Sequence, residues 1–338
     1  MTTTPDAAAR QTGTRETGTR ETGRRMPLPA RPAGPIPPPR RLAEPGGVLW
    51  EGAGLVTFTF SNGSAFLLQT MEPTIAAVLE KHSVFRTDPV GRGMRSIASV
   101  MMWVYADEQS LEEVERLRQL HAPLEAVDAD GVRHTALSSG PWAWVLLTGM
   151  HAFVSATRVF GAITDHDDVE AVYEEMKQLM RGFRVPEKEI PATYADFCEH
   201  FDRVVTEHLR DTRMARDFLD GSRHPGPPLG LPRWLRPVWR VALSPLGYFQ
   251  HLAILGMAPP AARERLGVRW GRWQDLQLKA FGRTVGAVVR VLPERLVYFP
   301  IAYEARRLER LRRERPGDTR AIARAERRLR TVIEKRPT

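Results

Sequence analysis

The chain has a single cysteine, Cys198, among its 338 residues. An intramolecular disulfide needs two cysteines and an iron–sulfur cluster needs several thiolates, so the sequence excludes both. A chain without disulfides is at home in a reducing compartment, which predicts a cytoplasmic location. Arg24 and Arg25 are followed by prolines at 27 and 29 rather than by an apolar run, so no export signal is expected there.

Motifs of the common nucleotide-binding and hydrolytic enzymes are also missing. The sequence has no phosphate loop, no Gly-x-Gly-x-x-Gly turn and no Gly-x-Ser-x-Gly nucleophile elbow. No two histidines follow each other at the i, i+3 or i, i+4 spacing of a helical metal site. A metal site built from two histidines on one helix turn is therefore not expected.

The net charge of +9 is concentrated at the two ends of the chain. Residues 1–46 contribute +4 and residues 305–338 contribute +8, so the residues between them carry a net charge of −3. Because the residues between the two ends carry a net negative charge, no nucleic-acid partner is predicted. The basic C-terminal helix could dock on the body or make a weak contact with an anionic membrane surface. Docking is favoured, because its apolar stripe is narrow and lacks aromatic anchors.

Composition divides the chain into three parts. Residues 1–46 are rich in Thr, Gly, Arg, Ala and Pro, cannot bury a core, and are predicted to be a disordered tail. Residues 47–315 show apolar residues at helical spacing almost throughout, which predicts an all-α, multi-helix globular domain. Residues 316–338 are predicted to form the basic C-terminal helix, since Pro316 and Gly317 interrupt the preceding one.

The longest apolar stretch spans residues 142–163 and contains His151 and Arg158. An arginine near the middle of a bilayer would cost about 2.5 kcal/mol or more, so a buried core helix is predicted instead of a membrane span. Prolines elsewhere predict helix boundaries: separate helices over 234–243 and 246–256, a Pro/Gly linker over 225–232, and one helix over 293–315.

Two consecutive helices carry the candidate site. Asp88 and Pro89 are expected to cap and open the first, and Ser110 to cap the second. The apolar stripe of the second helix consists of Leu111, Val114, Leu117, His121 and Leu124, while its charged residues are predicted to face water, namely Glu112, Glu113, Glu115, Arg116 and Arg118.

His121 lies on this apolar stripe, where its imidazole needs a hydrogen-bond partner or a metal. Both interpretations remain open, and haem iron needs only one proximal imidazole. Arg92 and Arg95, spaced i, i+3, suit propionates or an anionic oxygen species, with Ser96 beside them. The alternative for these arginines is a solvated first turn. His151 is a candidate second ligand, although a buried histidine with its hydrogen bonds satisfied is the favoured interpretation.

Several motifs occur together in a fixed order. They are Phe85-Arg86-Thr87-Asp88-Pro89-x-Gly91-Arg92, Arg95-Ser96, Leu117-Arg118-x-Leu120-His121, Asp128-x-Asp130-Gly131, Trp142-Ala143-Trp144-Val145, Pro191 and Pro259-Pro260-x-x-Arg263-Glu264-x-Leu266-Gly267-x-x-Trp270. From roughly Gly47 to Arg307 the chain thereby resembles the haem-dependent oxygenases. That family includes the fungal mycophenolic-acid pathway oxygenase and the bacterial latex-clearing rubber oxygenases.

The resemblance implies roles for individual residues. In the rubber oxygenases an Arg-x-x-Lys-Thr helix lies over the haem and a Leu/Met-His pair supplies the proximal ligand. These positions correspond to Arg92, Arg95, Ser96 and His121. Arg95 departs from the lysine and cannot bind iron as a lysine amine does. Leu146 replaces the histidine of a Trp-Val-His motif found in many relatives, with His151 as its only nearby substitute.

The resemblance further implies a haem b cofactor and a reaction with O2. The expected substrate is an apolar small molecule, unsaturated or isoprenoid-like, rather than polyisoprene. The departures at Arg95 and Leu146 leave a second interpretation open, in which the chain is a non-catalytic haem- or ligand-binding helical protein.

Overall fold

Helices make up 75% of the structure, and the only strands among the described residues form a two-stranded sheet, which confirms the predicted all-α fold. The computed structural model describes residues 41–82, 87–128, 130–161, 169–223, 232, 234 and 236–337. Most of the predicted tail and of the predicted linker lies outside these residues.

The first part of the chain forms five helices and a short β-hairpin. The helices are α1 Val48–Gly52, α2 Phe58–Thr70, α3 Pro73–His82, α4 Pro89–Tyr105 and α5 Gln109–His121. Strands β1 Glu125–Val127 and β2 Arg133–Thr135 then pair in antiparallel fashion, with Ala126 opposite His134.

Ten further helices follow in the described residues. They are α6 Ser139–Phe160, α7 Val169–Gly182, α8 Tyr194–Arg203, α9 Arg213–Arg223, α10 Arg236–Met257, α11 Pro260–Arg265, α12 Arg272–Val291, α13 Glu294–Val297, α14 Pro300–Glu314 and α15 Thr319–Glu334. A 3₁₀ turn at Glu187–Glu189 precedes α8, and a π-helical turn at Val204–His208 continues it.

Helix α6 lies at the centre of the main core, as its apolar composition predicts. Its residues Leu147, Met150 and Ala152 are almost completely buried. The indole of Trp144 donates a 3.2 Å hydrogen bond to the carbonyl of Leu68 in α2, and this fastens the two central helices together. By length and composition α6 alone among the described helices could cross a membrane, and more than half of it is buried inside the fold.

The last helix docks on the body, as favoured from its sequence. Ala325, Leu329 and Ile333 of α15 are buried in a second core cluster, which also contains Ile301 and Leu308 of α14. The arginines of α15 are left on its outer side, where Arg327 and Arg330 are exposed. The apolar stripe of this basic helix is thus buried against the rest of the fold.

Three predicted helix boundaries are wrong. Ser110 does not cap α5, which begins at Gln109 with Glu108 at the N-cap position and no side-chain cap. Prolines lie at the other two. Helix α10 runs through Pro245 as one helix, since a proline removes only one helical hydrogen bond and packing can compensate. The helix predicted over 293–315 is broken at Tyr298 and Phe299. Tyr298 pairs with Leu55 in an isolated bridge, and the amide of Phe299 donates to the carbonyl of Gly54 at 2.8 Å. Pro300 then opens α14.

Candidate functional site

Helices α4 and α5 form an antiparallel hairpin that is held in register by a buried carboxylate. Glu113 is only 2% exposed and accepts hydrogen bonds from the Ser99 hydroxyl at 2.7 Å and from Arg116 at 2.6 and 2.8 Å. Burial raises the pKa of Glu113, but the bonds from Arg116 and Ser99 outweigh it and lower the pKa. The prediction that Glu113 faces water is therefore wrong, because its charge is compensated within the hairpin.

The same register brings Arg92 and His121 to one end of the hairpin. Arg92 precedes Ser99 by seven residues and His121 follows Glu113 by eight, so both lie about 11 Å further along antiparallel helices. The two side chains also interact electrostatically, since the charge of Arg92 lowers the pKa of His121. Two of the predicted site residues are therefore neighbours.

The ring of His121 is held in one tautomer. Its Nδ1 lies 2.7 Å from the carbonyl oxygen of Leu117, and a carbonyl can only accept, so Nδ1 carries the proton. The ring also packs edge-on against Trp142, with 5.6 Å between centroids. Burial, aided by the charges of Arg92 and Arg116, lowers the pKa of His121 below 6.5. At neutral pH the imidazole is uncharged and its Nε2 has a free lone pair, the form that binds metals.

Arg92 is a half-buried cation. Its guanidinium carbon lies 4.3 Å above the centre of the Phe66 ring, and within the described part of the chain it has no ion pair. Burial, with a further contribution from Arg95, lowers its pKa to about 10. A half-buried cation without a counter-charge is unfavourable, so this position suits an anionic ligand.

Arg95 and Ser96 lie beside Arg92 at the start of α4. The Arg95 guanidinium is 3.2 Å from the carboxylate of Asp88, which also caps the helix by accepting from the amide of Gly91 at 2.9 Å. Ser96 is half-buried one turn beyond Arg92, on the same face. Asp88 thus has two roles, as the cap of α4 and as the partner of Arg95. The sequence predicted the cap but not the ion pair.

His151 lies apart from this group. It is nine residues beyond Trp142 on α6, a separation of about 13 Å along the helix. Its Nε2 donates to the carbonyl of Met257 at 3.0 Å, and its ring stacks on Phe201 with 4.4 Å between centroids. These are the contacts of a core histidine whose hydrogen bonding is satisfied.

Substitutions of His151 are expected to change stability and its pH dependence. Burial lowers the pKa of His151, so the unfolded chain takes up a proton at higher pH than the folded one. Stability contributed by the neutral ring is lost as the pH falls below about 6.5.

We expect His151→Gln to retain a donor for Met257 and to weaken this acid sensitivity. His151→Ala should lower the free energy of unfolding by about 2 kcal/mol at pH 7. Urea unfolding at pH 7 and pH 5 measures both effects, and unchanged acid sensitivity in His151→Gln would contradict the assignment.

The residues around His121 fit a haem. A haem takes one proximal imidazole and carries two carboxylates, which matches an Nε2 and a cation that have no partner among the described residues. Aromatic rings adjoin both residues, since Phe66 contacts Arg92 and Trp142 contacts His121. A Cβ atom added to Gly93, next to Arg92, would meet no described atom within 4 Å, so no described side chain blocks this turn of α4. Among the described residues no group of three His, Cys, Asp or Glu side chains could hold a bare metal ion.

Two aromatic residues of this region were missed as site residues from the sequence alone. Trp142 appeared only as part of a shared motif, although it contacts His121 directly. Trp103 of α4 packs on Phe183 with 4.7 Å between centroids, and Phe183 in turn contacts Trp142. The buried indole nitrogen of Trp103 has no acceptor in the described part of the chain. Helical spacing marks such residues as core and gives no indication that they adjoin a histidine.

Comparison with known proteins gives one match. The family described as "ER-bound oxygenase mpaB/B'/Rubber oxygenase, catalytic domain" matches residues 50–287, more than two thirds of the chain. No curated protein and no solved structure matches. The matched region includes the α4–α5 hairpin and α6, and thus every residue of the candidate site. The chain belongs to the family of mpaB and rubber oxygenase catalytic domains.

Proposed function

We propose that the protein is a haem b-dependent oxygenase that uses O2 on an apolar small molecule, unsaturated or isoprenoid-like. The observation that carries the proposal is a neutral His121, whose Nε2 has no partner in the described part of the chain, beside the Arg92 guanidinium, which has no ion pair there. Membership of an oxygenase family supports the reaction class. The cytoplasmic location rests on the single cysteine alone.

His121 is proposed as the proximal ligand of the haem iron. The carbonyl of Leu117 orients the ring and makes Nε2 more basic by accepting from Nδ1–H. Because the pKa of His121 is lowered, no proton competes for Nε2 at neutral pH. Bound haem would supply the redox-active iron that activates dioxygen.

Arg92 is proposed to bind a carboxylate of the cofactor or an anionic oxygen species. Such a partner would compensate its charge, which the described residues leave unpaired. Arg95 adds a second positive charge that Asp88 holds in place, and Ser96 offers a hydroxyl on the face of Arg92. Phe66 and Trp142 would exclude water, and such apolar walls suit an apolar substrate.

Oxygen uptake by haem-loaded protein tests the oxygenase activity. With a panel of terpenoid and unsaturated polyketide compounds, we expect substrate-dependent uptake and ¹⁸O from labelled O2 in the product by mass spectrometry. His121→Ala, treated identically, serves as the control and should show neither. Haem-replete protein that remains inert across the panel would favour the alternative, a haem-binding protein without turnover.

A further inference from the structure

Helix α12 lies directly on the end of α6, and this contact fixes which of its sides is buried. A Cβ on Gly282 would come within 2.1 Å of the carbonyl oxygen of Val159, and one on Gly286 within 2.2 Å of that of Phe160. Only glycine allows so close an approach of the two backbones. Leu278 is buried on the same side. The opposite half of α12 is therefore turned outwards.

An apolar stripe runs along the outward half of α12. At about 100° per residue, one line along the helix contains Trp273, Leu276, Ala280, Thr284, Ala287, Val288 and Val291, all of them exposed. Trp273 is 66% exposed, Leu276 56% and Val291 80%. The stripe is about 27 Å long and continues into the exposed Leu292 and Leu296. Exposed apolar side chains in so continuous a row indicate an interaction surface.

A row of cations borders this apolar stripe along one side. Arg272, Lys279, Arg283 and Arg290 follow each other at i, i+7, i+11 and i+18, so they share a line about a quarter turn from the stripe. Arg272, Lys279 and Arg283 have no ion pair in the described part of the chain. The one acid of α12, Asp275, accepts from the indole of Trp270 at 2.7 Å. The outward half of α12 is thus apolar and cationic.

We propose that this half of α12 binds the surface of a lipid bilayer that contains anionic lipids. The apolar stripe would lie at the boundary of headgroups and acyl chains, with Trp273 as the interfacial anchor. The cation row would lie against the anionic headgroups, where each basic residue adds to the binding. The partner is thus identified by its chemistry, an apolar layer beneath a negatively charged one.

The charges disfavour a second copy of the chain as the occupant when the two α12 helices are antiparallel. In a symmetric antiparallel pair of α12 stripes, both cation rows would lie along the same edge of the interface. Arginines and lysines would then face each other without acids between them, which is repulsive. The inference does not depend on the haem or on turnover, so it can fail or succeed independently of the proposed function.

Vesicle flotation of the full chain tests the proposal. We expect the protein to float with vesicles of phosphatidylcholine and phosphatidylglycerol, and to remain mostly unbound with phosphatidylcholine alone. High salt should weaken the binding, because it screens the cation row. A wild-type chain that floats with neither kind of vesicle overturns the proposal.

Paired variants locate the binding surface. The double variants Trp273→Ser/Leu276→Ser and Lys279→Glu/Arg283→Glu should each reduce partitioning about tenfold or more. The matched control Arg327→Glu/Arg330→Glu makes the same charge change on exposed residues of α15 and should have a small effect. Equal loss in the control would overturn the assignment to α12. The assignment would also be overturned if light scattering showed the wild type to be a dimer and Trp273→Ser/Leu276→Ser to be a monomer.

Discussion

Replacement of His121 by alanine is expected to abolish tight haem binding. The wild-type chain, incubated with haemin, should take up one haem and give a Soret band. His121→Ala should bind on the order of 100-fold more weakly or not at all, because haem needs a proximal imidazole and His151, the other predicted ligand, bonds to the carbonyl of Met257 instead. Absorbance titration of the purified proteins measures the effect.

Two controls separate loss of the ligand from loss of the fold. His151→Ala removes a buried histidine of α6 and should keep the Soret band even as it lowers stability. His121→Gly should regain the band when free imidazole is added, because the carbonyl of Leu117 remains to orient it. An unchanged spectrum in His121→Ala would exclude His121 as the ligand.

Arg92→Leu is expected to stabilise the protein without cofactor while it weakens cofactor binding. Removal of a half-buried cation that has no ion pair in the described part of the chain should raise the free energy of unfolding by roughly 1–3 kcal/mol. Loss of the charged partner should weaken haem affinity about tenfold or more. Urea unfolding without haem and haemin titration measure the two effects.

Arg92→Lys is the matched control for charge. It keeps a cation at this place but loses the planar fork, so we expect haem affinity between those of the wild type and Arg92→Leu. If Arg92→Leu instead destabilises the protein and leaves haem affinity unchanged, the guanidinium has a structural role on Phe66 and no anionic partner.

Helical periodicity predicted the core helices well, since the apolar pattern depends on each helix alone. Helix α6 is the clearest case: its composition predicted burial and the fold buries it. Proline was a less certain guide. Pro245 lies inside α10, whereas Pro300 opens α14, and only packing against the rest of the fold decides between these outcomes.

Charged and polar side chains were harder to place because their environment comes from another helix. Glu113 follows the pattern of an exposed residue, yet Ser99 of α4 turns it into the buried centre of the hairpin. His121 and His151 both lie on apolar stripes in the sequence. Contacts with other helices distinguish them: Nε2 of His121 has no partner among the described residues, whereas His151 contacts Met257 and Phe201.

The position of iron in crystals grown with haemin tests the central claim most directly. An anomalous difference map at the iron edge should show one peak within bonding distance of Nε2 of His121, with a propionate against the guanidinium of Arg92. A peak beside any other residue, His151 included, would contradict the account. The absence of an iron peak from these crystals would contradict it as well.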